Sequence, residues 1–186
     1  MNHQASMEIQ KHIEPRERVL WSDQPRQGVV FRSSDIFLIP FSLLWGGFAF
    51  FWEYSVITQD APLFFSLFGI PFVAIGAYLI AGRFFVDAKQ REKTFYAVTS
   101  DRVLIISGLF RLKIKSLSLR TLSDVSVTES KDGSGSISFG HSVPFASLFG
   151  GISWPGMEQF SGPSFDAINN VKRVYQLILE AQRNAT

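Results

Sequence analysis

Two uncharged stretches decide how this chain is read: Ile36–Trp52, IFLIPFSLLWGGFAFFW, and Ala61–Gly82, APLFFSLFGIPFVAIGAYLIAG. As helices they would run about 26 Å and about 33 Å, against a bilayer hydrocarbon core of about 30 Å. The first is short by a turn or less, which snorkelling of Asp35 and Glu53 or local thinning of the bilayer would settle. The pair predicts a transmembrane hairpin over 35–82, with helices at about 36–54 and 61–82 and an exported loop at 53–60.

Orientation follows from the Lys and Arg residues. Arg16, Arg18, Arg26 and Arg32 precede the first span, Arg83, Lys89, Arg91, Lys93 and Arg102 follow the second, and the loop between has none. By the positive-inside rule both termini are cytoplasmic, with Arg26, Arg32, Arg83, Lys89, Arg91 and Lys93 setting the topology of a multi-pass protein of the cytoplasmic membrane. Mostly polar residues precede the first span and no small-residue cleavage site follows it, so an anchor is expected and not a signal peptide.

Composition agrees with this partition. Of 186 residues 46% are hydrophobic and 15% aromatic, with 19 Phe, and the excess lies in the hairpin. What remains suits one small module. A net charge of +2 is too small to argue for nucleic acid, and the absence of Cys removes disulfides, thiolate zinc sites and Cys nucleophiles.

Outward from the hairpin, residues 1–16 read as a short or frayed arm, and 17–34 as two brief strands, Glu17–Ser22 and Val29–Phe31, packing with the domain beyond the membrane. Ser33, Ser34 or Asp35 could cap the first span. Pro71, mid-span, predicts a kink near Ser66–Leu67. Small residues four apart, Ser42 with Gly46 and Ala77 with Ala81, suit close helix approach. With no charge inside either span, neither ion conduction nor a proton relay is indicated.

After Arg83 the period turns extended. Thr94–Thr99 and Val103–Ile106 read as strands joined by Ser100–Asp101. From Phe110 to Lys115 apolar and basic residues alternate, placing Arg111, Lys113 and Lys115 on one face. The phase then flips at Leu117 and Leu119, which predicts a bulge or turn near Lys115–Ser116. Val125–Val127 and Ile137–Phe139 flank a turn at Lys131–Gly135. Residues 141–163, rich in Gly, Pro and Ser, carry Phe145, Leu148, Phe149, Ile152, Trp154, Met157 and Phe160, an unusual apolar load for a loop. Ser164 could cap a helix at about 165–182, its stripe drawn from Phe165, Ile168, Val171 or Val174, Tyr175, Ile178 and Leu179. The class is therefore an α+β membrane protein, with 83–186 as the cytoplasmic domain.

The series Glu17-Arg18-Val19-Leu20-Trp21-Ser22 with Pro25, the hairpin, Thr94–Thr99 and Asp101–Leu104 resembles the bacterial pleckstrin-homology-like (PH-like) membrane proteins with a two-helix hairpin. Leu122–Val125, the Gly133-x-Gly135-x-Ile137 turn, and Pro163 with Phe165 and Ile168 extend the resemblance over most of the chain from Glu17. The resemblance implies a small, bent seven-stranded antiparallel sheet or barrel closed by a C-terminal amphipathic helix. It further implies that strands before the hairpin join strands after it, and that the domain binds and does not catalyse. The loop from His141 to Gly162 is longer than the family pattern.

Catalytic sets are missing from the sequence. His3, His12 and His141 lack metal-ligand spacing, Gly133, Gly135 and Gly140 do not make a dinucleotide fingerprint, and no Ser lies in a nucleophile elbow. No cofactor is expected. Two candidate contact surfaces remain: the face with Arg111, Lys113 and Lys115, suited to anionic lipid headgroups or simply to solvating an exposed strand, and the loop with Phe149, Trp154 and Phe160, suited to the membrane interface, to a membrane-protein partner or to filling the open side of the small sheet as a satellite core. The expectation is a membrane-anchored binding module recognising a protein partner or anionic headgroups. A membrane-tethered enzyme acting on lipid or peptide, or an assembly factor for a larger membrane complex, is the alternative; self-association stays open.

Overall fold

The computed structural model describes residues 3–31, 35–109, 111–140 and 162–185. The order is α1 (His3–Gln10), β1 (Val19–Asp23), α2 (Asp35–Thr58), α3 (Leu63–Ala77), a π-helical turn (Tyr78–Gly82), α4 (Arg83–Glu92), β2 (Phe95–Thr99), β3 (Arg102–Ser107), β4 (Lys113–Ser118), a 3₁₀ turn (Leu119–Thr121), β5 (Val125–Glu129), β6 (Gly135–Phe139), β7 (Ser164–Ile168) and α5 (Val171–Ala185). The fold is α+β, and its strands form two small antiparallel sheets, β1-β2-β3-β4 and β5-β6-β7, not a closed barrel.

Two helices are long and apolar enough to cross a membrane. They are α2, of 24 residues, and the continuous 30-residue rod Leu63–Glu92. Their apolar side chains face outward, as Phe37, Leu44, Leu63 and Phe64 do, instead of filling a core. Helix α2 buries Ser42, Gly46, Ala49 and Val56, and α3 buries Gly69 and Gly76. At the crossing the backbones nearly touch, since a Cβ on Gly76 would lie 2.9 Å from the Gly46 Cα. The expected small pair Ser42 and Gly46 is at this seam, but Ala77 and Ala81 are exposed. Gly69 and Gly76, seven apart, take their place, because two helices crossing at a shallow angle meet at heptad spacing as well as every fourth residue.

Both helices exceed their sequence-based bounds. Helix α2 runs to Thr58, so Glu53 is helical and the connection shrinks to 59–62. The second rod runs ten residues past Gly82 through α4. Its charged residues hid this continuation, because they read as topology-setting cations beyond the end of the span.

The four-stranded sheet explains the apolar runs at 95–99 and 102–107. Strand β1 pairs antiparallel with β2, Trp21 opposite Val98 and Asp23 opposite Tyr96, so chain before the two apolar helices joins chain after them. Both faces of this sheet are covered. Tyr96, Val98, Val103 and Ile105 belong to the main core, while Ala97, Leu104 and Ile106 meet Ala5 and Ile9 of α1. Strands buried on both sides read as continuous hydrophobic runs. The arm is therefore partly a packed helix, its Ala5, Ile9 and Ile13 at every fourth position being a stripe too short to betray a period.

The bulge predicted at Lys115–Ser116 does not form. The β3–β4 register is unbroken from Arg102↔Ser118 to Ser107↔Lys113. Ile114 stands opposite Ile106 on the α1 side, where it is still exposed, and Leu117 opposite Val103 on the main-core side, so the phase flip only moves apolar character from one face of the sheet to the other. The expected strand at Val29–Phe31 does not form. Hydrogen bonds from Arg91 to the Arg26 and Gly28 carbonyls draw this segment along α4 instead of into the sheet.

The main core joins the sheets through Phe165. Its ring centroid lies 4.6 Å from Tyr96, 5.0 Å from Phe139 and 5.7 Å from Trp21. Helix α5 closes the core with Val171, Val174, Ile178 and Ala181. The expected helix at 165–182 begins later, because 164–168 is β7. A register shift opposite β6 and a left-handed Ala167 (φ 52°) turn both Phe165 and Ile168 inward. A bulged strand thereby imitates the three-residue spacing of a helix.

Candidate functional site

Lys113 and Lys115 lie on β4, an outer strand of the four-stranded sheet, two residues apart and therefore on one face. Arg111 sits in the turn before the strand, next to Gly108, whose φ of 149° and close approach to the Arg111 carbonyl leave no room for a Cβ. All three cations are exposed, as are Leu112 and Ile114 between them. The result is an accessible strand that is cationic and apolar at once, in a domain joined directly to the apolar helices. Phe149, Trp154 and Phe160 lie outside the described residues, as does Arg32.

The remaining cations near the hairpin are mostly engaged. Arg26 pairs with Asp132 at 2.5 Å, and its amide donates to the Ala167 carbonyl at 2.8 Å, tying the segment after β1 to the second sheet. Hydrogen bonds to Asp132 from the Ser134 hydroxyl and amide, then from Arg26, hold its carboxyl down at about 2. Lys89 pairs with Glu92, and Lys93 donates to the Leu109 carbonyl. Arg83 and Arg91 are not solvated at all. Arg91 pairs with Asp87 at 2.8 Å and straps the Arg26 and Gly28 carbonyls. Arg83 pairs with Asp35 at 2.9 Å, both side chains under a tenth exposed, with its guanidinium 4.4 Å from the Phe84 ring centroid.

A second cluster escaped the sequence reading although its residues were noticed singly. The Glu17 carboxylate accepts from Arg102 Nε and Nη2, each at 2.8 Å, from the Thr99 hydroxyl at 2.6 Å, and from the Glu14 amide at 3.1 Å. Burial works to raise its pKa, yet the hydrogen bonds from Arg102, Thr99 and Glu14 outweigh burial and hold it at about 2. Thr99 also accepts from the Arg102 amide, closing the β2–β3 turn. This network ties β1 to that turn; it is a structural clasp with every acceptor occupied.

Among the described residues no group of three or more His, Cys, Asp or Glu is placed to hold a metal ion. The arrangement offers contact chemistry: exposed cations flanked by apolar side chains on an open strand, and buried guanidinium groups at the foot of the hairpin. Comparison with family models, with curated proteins and with solved structures finds no match to this chain.

Proposed function

We propose that this chain is a membrane-anchored, non-enzymatic binding module of the bacterial PH-like class. In this reading α2 and the Leu63–Glu92 rod cross the cytoplasmic membrane, both termini are cytoplasmic, and the sheets stand at the inner face. The β1–β2 pairing favours such an anchor, because it returns the chain to one folded body after the two apolar helices. The order of Glu17–Ser22, hairpin, Thr94–Thr99 and Asp101–Leu104 supports the relation to PH-like proteins.

The observation that carries the binding role is the open β4 strand, where Lys113 and Lys115 alternate with exposed Leu112 and Ile114. An edge strand with no second strand partner among the described residues invites pairing by another chain, and cations close to a bilayer attract anionic headgroups at about 1 kcal/mol each. A photo-reactive side chain placed at Leu112 or Ile114 of the full-length protein in native membranes tests this. A protein adduct identifies a partner and a lipid adduct identifies headgroup contact; the absence of either at both positions would overturn the role of β4. A reporter inserted between Gln59 and Ala61 should report export, and a cytoplasmic signal there would reject the orientation.

A further inference from the structure

We propose that Arg83 holds the phosphate of a membrane phospholipid. The inference rests on the membrane reading above but makes no use of the β4 face. The Arg83 side chain is 4% exposed, and only Nη1 is engaged, by Asp35 Oδ1 at 2.9 Å. Nε and Nη2 are buried without a hydrogen-bond partner. Those two N–H groups form one side of the guanidinium fork, which presents parallel donors at the spacing of two oxygens of a phosphate or carboxylate. A buried ionised group with its donors unmade is costly, so the fork is expected to be filled in the working protein. Arg91 leaves only Nε without a partner and so offers no fork, since both of its Nη atoms are occupied by Asp87 and backbone carbonyls.

The position of the fork says which oxyanion fits. Asp35 is the first residue of the 24-residue helix α2, so Arg83 stands at that helix's amino end, where backbone amides and the helix dipole favour negative charge. The π-helical turn Tyr78–Gly82 immediately precedes Arg83 and changes the angular phase of the rod at this point; such turns recur at functional sites. Around the pair, Phe31, Ile36, Phe37 and Phe85 are exposed apolar side chains, and Phe31 touches Phe84, the ring beneath Arg83. Buried oxyanion donors beside an exposed apolar rim match a ligand that carries a phosphate and acyl chains together. A free phosphate would leave that rim in water. Because Asp35 cancels the charge of Arg83, attraction comes from oriented donors and the helix dipole, and binding should depend little on salt.

The test uses the full-length protein in neutral detergent, reading the shift in melting temperature and the lipid retained in native mass spectrometry. Phosphatidylglycerol should raise the melting temperature, with little change between low and high salt, while diacylglycerol and inorganic phosphate at the same concentration should not. Arg83→Lys, which keeps the charge but has no fork, should weaken phosphatidylglycerol binding about tenfold or more. Asp35→Asn should strengthen it, a gain that misfolding cannot produce. The triple variant R111E/K113E/K115E should bind as the parent does, which separates this site from the β4 reading. The proposal is overturned by equal binding to the parent and Arg83→Lys, by an equal response to diacylglycerol, by weaker binding to Asp35→Asn, by inorganic phosphate alone producing the shift (a free anion), or by no shift at all (water only).

Discussion

The two basic regions of this molecule share a residue type and almost nothing else. On β4, Lys113 and Lys115 are held out in solvent by a strand whose residues are nearly all exposed. On α4, Arg83 and Arg91 are buried, each against a carboxylate. The difference teaches that a positive charge near a hairpin has two physical uses. A solvated cation interacts weakly and is screened by salt. A buried one depends strongly on its counter-ion, and removing that counter-ion leaves a charge with nowhere to go.

The largest effect that would break this contrast is therefore on the buried side. Asp35→Ala should destabilise the protein by about 3–5 kcal/mol, since it strands Arg83 in a buried site. Denaturant unfolding in detergent measures it, and a loss below about 1 kcal/mol would mean that Arg83 escapes to solvent. Between the extremes lies the Glu17–Arg102 clasp, which is enclosed but fully hydrogen-bonded. Its folded pKa of about 2 is below the ordinary 4.5, so the unfolded chain binds the proton more readily. The stability it contributes is present above about pH 4.5 and is lost as pH falls toward 2. The unfolding midpoint should drop over that window, and Glu17→Gln should make the drop shallower; identical profiles for the two proteins would assign the acid sensitivity to other carboxylates. The smallest effect belongs to the solvated side. Lys113→Glu with Lys115→Glu should change stability by no more than about 0.5 kcal/mol while abolishing adducts from position 112 or 114. A large loss of stability would show that these lysines belong to the fold.

How much of this was legible depended on whether a residue's partner was near it in sequence. The hairpin was, because a run with no charge needs no partner to be recognised. Strands β2 and β3 were, through β-branched and aromatic density. Helix α1 was not, because its buried stripe is only Ala5 and Ile9, continued by Ile13 beyond its end, and its meaning comes from Ala97, Leu104 and Ile106 far along the chain. The start of α5 was misplaced because a bulge at Ala167 gave β7 a helical spacing. At the candidate sites, the exposed face of Lys113 and Lys115 followed from period-two alternation. The burial of Arg83 did not, since it depends on Asp35 across the helix pair and on a π-helical turn that local propensity does not encode.

The pairing of β1 with β2 has a topological consequence. Trp21 and Val98 can be neighbours only if the chain between them returns to the side from which it left. Zero or two crossings satisfy that condition, and one crossing cannot. A molecule inserted with a single helix across the bilayer would hold the two halves of its first sheet in different compartments, with Glu17 parted from Arg102 and Trp21 from Phe165. In the membrane reading proposed above, completion of the sheet acts as a parity check on insertion, passed only when the count of crossings is even.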